Sequence, residues 1–185
     1  MRVITGSARG AKLRTLEGLA TRPTSDRVKE AIFNIIQFEV EGRRVLDLFA
    51  GSGQLAIEAM SRGAALAVLV DQSAEAVRVI RENLKKVRLE QNAVPVRSEA
   101  LAYLSICREK FDLIFLDPPY GGDLLERSLQ KISEIDILNP GGIIICERSR
   151  DREMPPAVGT LRCSRDYCYG KTAVNLYTQM QGGPG

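Results

Sequence analysis

From residue 43 onward the chain switches regularly between two hydrophobic periods. "RRVLDLFA" (43–50), "AALAVLVD" (64–71), "AVPVR" (93–97), "FDLIFLD" (111–117) and "GGIIICER" (141–148) are short, largely apolar runs that predict five buried strands. Between them "GQLAIEAMSRG" (53–63), "SAEAVRVIRENLKKVRL" (73–89), "EALAYLSICRE" (99–109) and "GDLLERSLQKISEI" (122–135) read as helices, the first ended by Gly63 and the second opened by Ser73. Strand and helix alternating in this way predict an α/β fold, a mostly parallel sheet with helices on both faces. The flanks break the pattern. Upstream, "RVITGSARGAKLRTL" (2–16) reads as a β-hairpin arm broken by Gly6 and Gly10, and 22–40 as a helix capped by Thr24 or Ser25. Downstream, "GTLRCSRDYCY" (159–169) and "TAVNLYTQM" (172–180) predict a closing antiparallel hairpin, followed by a disordered tail over 181–185. The expected organisation is one domain over 1–180: arm 1–21, helix 22–40 and core 43–180.

Composition narrows the function. A chain of 185 residues supports one core. It holds no apolar run long enough to span a bilayer, and "MRVITGSARG" lacks the apolar block of a signal peptide. Cys107, Cys146, Cys163 and Cys168 form no CxxC pair and read as reduced thiols in a cytoplasm, in the core or half-buried. The chain has no histidine, which excludes histidine-based nucleophilic triads and histidine metal sites. Charge is uneven. Residues 1–29 carry Arg2, Arg9, Lys12, Arg14, Arg22, Arg27 and Lys29 against Glu17 and Asp26, a net +5, while the remainder is −2. A basic arm on a near-neutral body points to a polyanionic partner. The duller alternative is a solvated tail. The basic residues of "VRVIRENLKKVRL" read as a solvated helix face.

In a sheet of this kind ligands sit beyond the carboxyl ends of the strands. Asp47 closes the first strand, before Gly51 and Gly53 in "DLFAGSGQ". Asp71 closes the second, where an acid can accept from two ribose hydroxyls. Glu99 and Ala100 follow the third, and Asp117-Pro118-Pro119-Tyr120 the fourth. A dinucleotide-binding loop would want a third glycine at position 56, where Ala56 stands. Asp47 beside that turn would repel a pyrophosphate. It suits a cationic ligand without phosphate, and S-adenosylmethionine is one. "CYGKTA" is no phosphate loop, since Arg165 occupies the position of its first glycine. The "DPPY" stretch has its own logic. Asp117 and the Pro118 carbonyl can accept from one amino group, the two prolines fix the backbone, and Tyr120 offers a face for a planar base. Holding both hydrogens of an exocyclic amine turns its lone pair towards a methyl donor, a catalysis of positioning and electrostatics. Structural alternatives are that Asp47 and Asp71 cap helices and that Tyr120 covers the core.

"DPPY" resembles the amino-methyltransferase motif of DNA adenine, DNA cytosine-N4, ribosomal RNA and protein-glutamine methyltransferases. More narrowly, "DLFAGSGQLAIEAMSRGA", "RVITGSARGAKL", "RPTSDRVKEAIFNII" and "YGKTAVNLY" resemble the family of small-subunit (16S) ribosomal RNA guanine-N2 methyltransferases (RsmD-like) over the chain to about Gln179. The resemblance implies a Rossmann-like S-adenosylmethionine-dependent methyltransferase fold. It implies that Asp47, Phe49, Gly51 and Gly53 shape the donor pocket, that Asp71 holds the ribose, and that Glu99 and Ala100 flank the adenine. Asp117, Pro118, Pro119 and Tyr120 would hold the target guanine. Arg2, Arg9, Lys12, Arg14, Arg22 and Arg27 would meet RNA. Ala56 and Glu99 depart from the family's usual glycine and shorter Asp or Asn, and both bear on donor affinity. The expected substrate is small-subunit ribosomal RNA in a partly assembled particle, and the expected enzyme is a cytoplasmic monomer. A DNA adenine-N6 methyltransferase and a non-catalytic RNA-binding assembly factor are the alternatives.

Overall fold

The computed structural model describes residues 1–16, 26–119 and 121–180. Their strands are β1 (Arg44–Asp47), β2 (Leu66–Asp71), β3 (Ala93–Arg97), β4 (Phe111–Leu116), β5 (Leu138–Ser149), β6 (Ala157–Val158), β7 (Leu161–Tyr169) and β8 (Thr172–Gln179). They form one sheet in the order β3-β2-β1-β4-β5-β8-β7-β6. The first five pair in parallel, and β8, β7 and β6 are antiparallel, as the break in alternation predicts. The helices are α1 (Asp26–Ile35), α2 (Gln54–Ser61), α3 (Ala74–Val87), α4 (Ala100–Ile106) and α5 (Leu124–Ile135).

Two apolar clusters sandwich the sheet. Val45, Leu69, Phe115, Ile145 and Val174 pack under α1, α2, α3 and the N-terminal segment. Leu46, Val68, Ile114, Ile144 and Tyr177 pack under α4 and α5. Period-2 alternation along each strand produces this division. Helix α2 is buried at all eight positions, because the N-terminal segment covers its outer side.

That segment is the expected hairpin arm in reduced form. Arg2 and Lys12 form an antiparallel bridge, flanked by Val3 N–H donating to the Ala11 carbonyl (3.0 Å) and Leu13 N–H to the Met1 carbonyl (3.1 Å), with Gly6 and Gly10 at positive φ between them. It is docked. Val3 and Leu13 are buried, and the Glu58 carboxylate accepts from Ile4 N–H (2.7 Å) and Thr5 N–H (3.0 Å). Ser7 N–H donates to the Ser61 carbonyl (2.8 Å). A Cβ on Gly6 would lie 1.7 Å from that carbonyl, so only glycine passes there. Helix α1 is also shorter than the expected 22–40. It stops at Ile35, and the apolar pattern beyond it is met by a turn that still buries Ile36 and Val40. Its expected caps Thr24 and Ser25, together with Arg22, Tyr120 and the tail 181–185, lie outside the described residues. Among the described residues, no helix is long and apolar enough to cross a membrane, and the four cysteines are free thiols.

Candidate active site

Four acids stand at the carboxyl edge of adjacent strands. Asp71 ends β2, Asp47 ends β1, Asp117 follows β4, and Glu147 lies near the end of β5. Each is two residues beyond a side chain of the same apolar cluster: Leu69, Val45, Phe115 and Ile145. Alternation therefore directs all four to one face of the sheet. The parallel register aligns them further, pairing Asp47 with Leu69 and Phe115, and Leu116 with Cys146.

Asp47 is 1% exposed. Its Oδ2 accepts the Ala56 N–H at 3.3 Å, while its Oδ1 is buried with no hydrogen-bond partner among the described residues. Burial pushes its carboxyl up to about 7. The Ala56 N–H opposes that shift, the charges of Asp117 and Asp71 reinforce it, and the Phe49 N–H opposes it. A desolvated carboxylate with an idle oxygen and two acidic neighbours calls for a cation.

The loop between β1 and α2 supplies the adjoining surface. Gly53 is the N-cap of α2 at φ 81°, and a Cβ there would crowd Leu69, Ile57 and Ile80 at 3.1 to 3.3 Å. A Cβ on Gly51 would meet nothing within 4 Å, so its outer side is open to a ligand. Asp71 ties this loop to β2. Its Oδ2 accepts from Gly51 N–H (2.9 Å) and its Oδ1 from Ser73 N–H (2.8 Å). The N-cap of α3 is Ser73, so the capping alternative does not describe Asp71; it describes part of what Asp47 does, through the first-turn Ala56 N–H of α2. Each Asp71 oxygen retains a second lone pair for a hydroxyl donor. Glu99 is the N-cap of α4, its Oε2 accepting from Ala102 N–H at 2.8 Å, with Ala100 buried behind it. Phe49 is half-buried against the cluster under α4 and α5. The donor set therefore fits a phosphate-free ligand that carries an ammonium or sulfonium together with hydroxyl donors.

Directly after Asp117 in the chain, a cleft of about 430 Å³ opens between the loop after β4 and the end of β5, lined in part by Pro118, Pro119, Glu147, Arg148 and Arg152. Sequence reasoning reached the prolines and missed the other three. Two further residues were missed, and both left a trace. Glu58 is an acid inside the otherwise apolar α2, and Asn83 stands on the apolar stripe of α3. The Asn83 amide group donates to the Ser52 carbonyl (2.9 Å) and the Arg14 carbonyl (3.0 Å), and its Oδ1 accepts from Arg14 N–H (2.7 Å). One side chain thus joins the loop before α2 to the N-terminal segment.

The expected RNA-binding residues divide between two places. Arg2, Arg9, Lys12 and Arg14 are exposed on the docked segment, and Arg27 is exposed in the first turn of α1. Arg14 is paired with Glu82 of α3 at 2.7 Å.

The model of a family described as "Conserved hypothetical protein 95" matches residues 1–178. The chain is 43% identical to YlbH of Bacillus subtilis (strain 168) over 180 residues, 96% of this chain and 98% of that one. It is 32% identical over 177 residues to the Escherichia coli (strain K12) protein named ribosomal RNA small subunit methyltransferase D, covering 96% of this chain and 89% of that one. The solved structure of yhhF from Escherichia coli superposes with a TM-score of 0.87 at 32% identity, covering 97% of each chain.

Proposed function

The chain belongs to the family described as Conserved hypothetical protein 95, and from that premise we propose that it transfers a methyl group from S-adenosylmethionine to the exocyclic N2 of a guanine in small-subunit (16S) ribosomal RNA. The observation that supports the proposal is the neighbourhood of Asp117. Its charge acts on the buried Asp47 with its idle oxygen, beside the open side of Gly51 and Asp71. The two residues that follow it, Pro118 and Pro119, line the cleft. The small-subunit RNA substrate is supported by the name of the Escherichia coli relative.

The donor, when bound, supplies an electrophilic methyl on a sulfonium whose electron pair returns to sulfur. Every other contribution comes from the chain. Asp47 faces the donor's positive charge, and Asp71 accepts from its ribose. Asp117 and the Pro118 carbonyl accept the two N–H groups of the target amine, which rotates its lone pair out of conjugation and towards the methyl. As the N–C bond forms, positive charge grows on the nitrogen, and the Asp117 carboxylate stabilises it. The amine then sheds one proton on the side held against Asp117. Tyr120 supplies the ring on which the guanine stacks. A base in a helix or stack must be turned out to enter the cleft. The described residues form no separate element for reading a long sequence, so the target is chosen by RNA shape, by neighbouring ribosomal proteins, or by both. A partly assembled small subunit is the preferred substrate, and the enzyme acts as a monomer.

The test is methyl transfer from isotopically labelled donor to small-subunit particles, their extracted RNA and duplex DNA, each digested to nucleosides and separated. The expected result is label in N2-methylguanosine, strongest with particles. Label in N6-methyladenine would replace the substrate. Donor binding without transfer to any of the three would favour a non-catalytic assembly factor.

A further inference from the structure

The sheet continues past the cleft, and its register carries the level of the site outward. Leu116 pairs with Cys146, so Asp117 stands level with Glu147, which pairs with Val174 of β8, which pairs with Tyr167 of β7. Ser149, Thr172 and Tyr169 form the next line. Tyr167 and Tyr169 share a face with Val174 and its apolar cluster, which is also the face of Asp117. Both tyrosines pack against that cluster and are only half-buried. Their ring planes lie 21° apart with centroids 6.5 Å apart, so they make one aromatic surface. Arg165, opposite Leu176, follows on the same face, and its guanidinium donates to the Tyr167 hydroxyl at 3.1 Å. At the same end of the sheet Lys171 and Arg150 are exposed, joined by Arg150 N–H donating to the Lys171 carbonyl at 2.9 Å. Asp151 beside them offsets one of these charges. The aromatic surface is rigidly tied to the cleft, because the Arg148 guanidinium lines the cleft and also donates to Asn175 of β8 (2.6 Å) and Asp166 of β7 (2.8 Å). Among the described residues, no strand pairs with the outer side of β7 from Arg165 to Tyr169.

Resting on the RNA substrate proposed above, we propose that Tyr167 and Tyr169 form a stacking platform for unpaired bases of the RNA strand next to the target nucleotide. Turning a base out of a stack leaves its neighbours without a partner on one side, and an aromatic ring replaces that partner for any base. The reach is right. Three strand spacings of about 4.8 Å put the platform about 14 Å from Asp117. A stacked strand advances about 3.4 Å per nucleotide, so the bases that meet the rings lie within about four nucleotides of the target. Charge identifies the occupant. Arg150, Arg165 and Lys171 attract the phosphates between those bases, and they would repel the same cations on a second copy of this chain docking through its own β7. A platform fastened to the cleft wall by Arg148 also costs little to order when the strand arrives.

The experiment compares wild type with two double variants, Tyr167→Leu with Tyr169→Leu and Tyr167→Phe with Tyr169→Phe. Leucine supplies the apolar bulk that covers a core, and phenylalanine keeps the ring. Affinity for small-subunit RNA and particles, donor affinity and urea unfolding are measured for each. The leucine variant should bind RNA roughly 10- to 100-fold more weakly, with donor affinity and unfolding close to wild type, while the phenylalanine variant stays within about threefold. The salt slope of binding should be unchanged in both, because the rings carry no charge. A second measurement uses RNA spliced by ligation to carry one abasic nucleotide at successive positions around the labelled one. Wild type should lose affinity when the missing base lies within about four nucleotides, and the leucine variant should be indifferent to the same positions. A leucine variant that binds RNA like wild type, or that loses further affinity at those positions by the wild-type factor, would overturn the inference. So would a wild-type dimer that the leucine variant dissociates with RNA affinity unchanged, which would give the surface to a second copy. If wild type transfers no methyl group to RNA while leucine still weakens RNA binding and phenylalanine does not, the methylation reading has failed and the platform stands.

Discussion

Replacing Asp47 with asparagine should disarm the protein and, above neutral pH, stabilise it. The carboxyl of Asp47 is raised from 3.8 to about 7, chiefly by burial. An acid with a raised pKa is favoured in its protonated form by the folded state. Between pH 3.8 and 7 the folded chain holds a proton that the unfolded chain has released, so stability falls as pH rises through that window and is level above it. At about 1.4 kcal/mol per unit, the wild type gives up about 4 kcal/mol across it. Asparagine carries no charge at any of these pH values. Its oxygen can still accept the Ala56 N–H, but its amide group falls where Oδ1 now lies without a partner, at a cost of about 1 to 3 kcal/mol. Asp47→Asn should therefore be the less stable protein at pH 4, by about that amount. At pH 8 it should be the more stable, by about 1 to 3 kcal/mol, with a crossing between.

The chain has no tryptophan, so urea unfolding is best followed by far-UV circular dichroism, at constant ionic strength and in steps from pH 4 to 8. Donor binding should move the opposite way. A cation stabilises the ionised form of Asp47, so wild-type affinity should tighten as pH rises towards 7 and binding should release a proton near neutrality. In Asp47→Asn the affinity should be weaker and this pH dependence absent. A stability difference that stays flat from pH 4 to 8 would refute the account of Asp47. So would an unchanged pH dependence of binding in the variant.

Asp117→Ala should unfold like wild type and bind donor, yet lose roughly 100- to 1000-fold in turnover on particles, the usual cost of removing one preorganised electrostatic partner; turnover within tenfold would move the amine site elsewhere. Glu58→Gln should lower stability by about 3 kcal/mol in urea, since it takes from the buried Lys29 ammonium its buried anion 3.9 Å away and leaves it the half-exposed Asp26 at 3.9 Å. Amide exchange at Ile4 and Thr5 should rise with it, and unchanged protection there would show that Glu58 does not hold the segment. Replacing Arg9, Lys12 and Arg14 with alanine should weaken RNA binding and flatten its salt dependence, with each lost phosphate contact removing roughly 0.7 to 0.9 from the log–log slope. Arg14 should contribute least, because Glu82 already pairs with it.

The sheet was legible because each of its central strands is covered on both faces and reads as an unbroken apolar run. The edge acids followed from it, since Asp47, Asp71 and Asp117 each break such a run at the end where ligands bind. The N-terminal segment was legible in its charge and its antiparallel turn, and its docking was not. What docks it is a set of backbone N–H groups meeting Glu58 and Ser61 some fifty residues away in sequence, and no local pattern encodes such a pairing. Gly6 read as a hairpin breaker, whereas its function is to let the backbone pass against the Ser61 carbonyl. Glu99 was read for its ligand alone, and its carboxylate is also the cap of α4. Glu147 escaped notice because "IIICER" looks like a strand running out into solvent, and only the register of β5 against β4 and β8 brings the acid level with the site.

The charge distribution is a problem that the architecture resolves. A sheet edge carrying Asp47, Asp71, Asp117 and Glu147 is a poor neighbour for a polyanion, and the substrate proposed for it is one. Only a flipped base can approach such an edge, because a base is uncharged and its N–H groups are donors. The phosphates have to remain outside, where Arg2, Arg9, Lys12 and Arg14 are exposed on the docked segment and Arg27 at the start of α1. Separating the two charges by more than a Debye length, about 8 Å at physiological salt, would let each act with little interference from the other. The docking of the segment then has a purpose beyond stability. A free tail could fold its arginines back onto the acidic edge and neutralise it. A segment fixed through Glu58, Ser61 and Asn83 keeps Arg2, Arg9, Lys12 and Arg14 exposed on the body of the protein, and on the proposed function that would leave the carboxylates to the donor and the base.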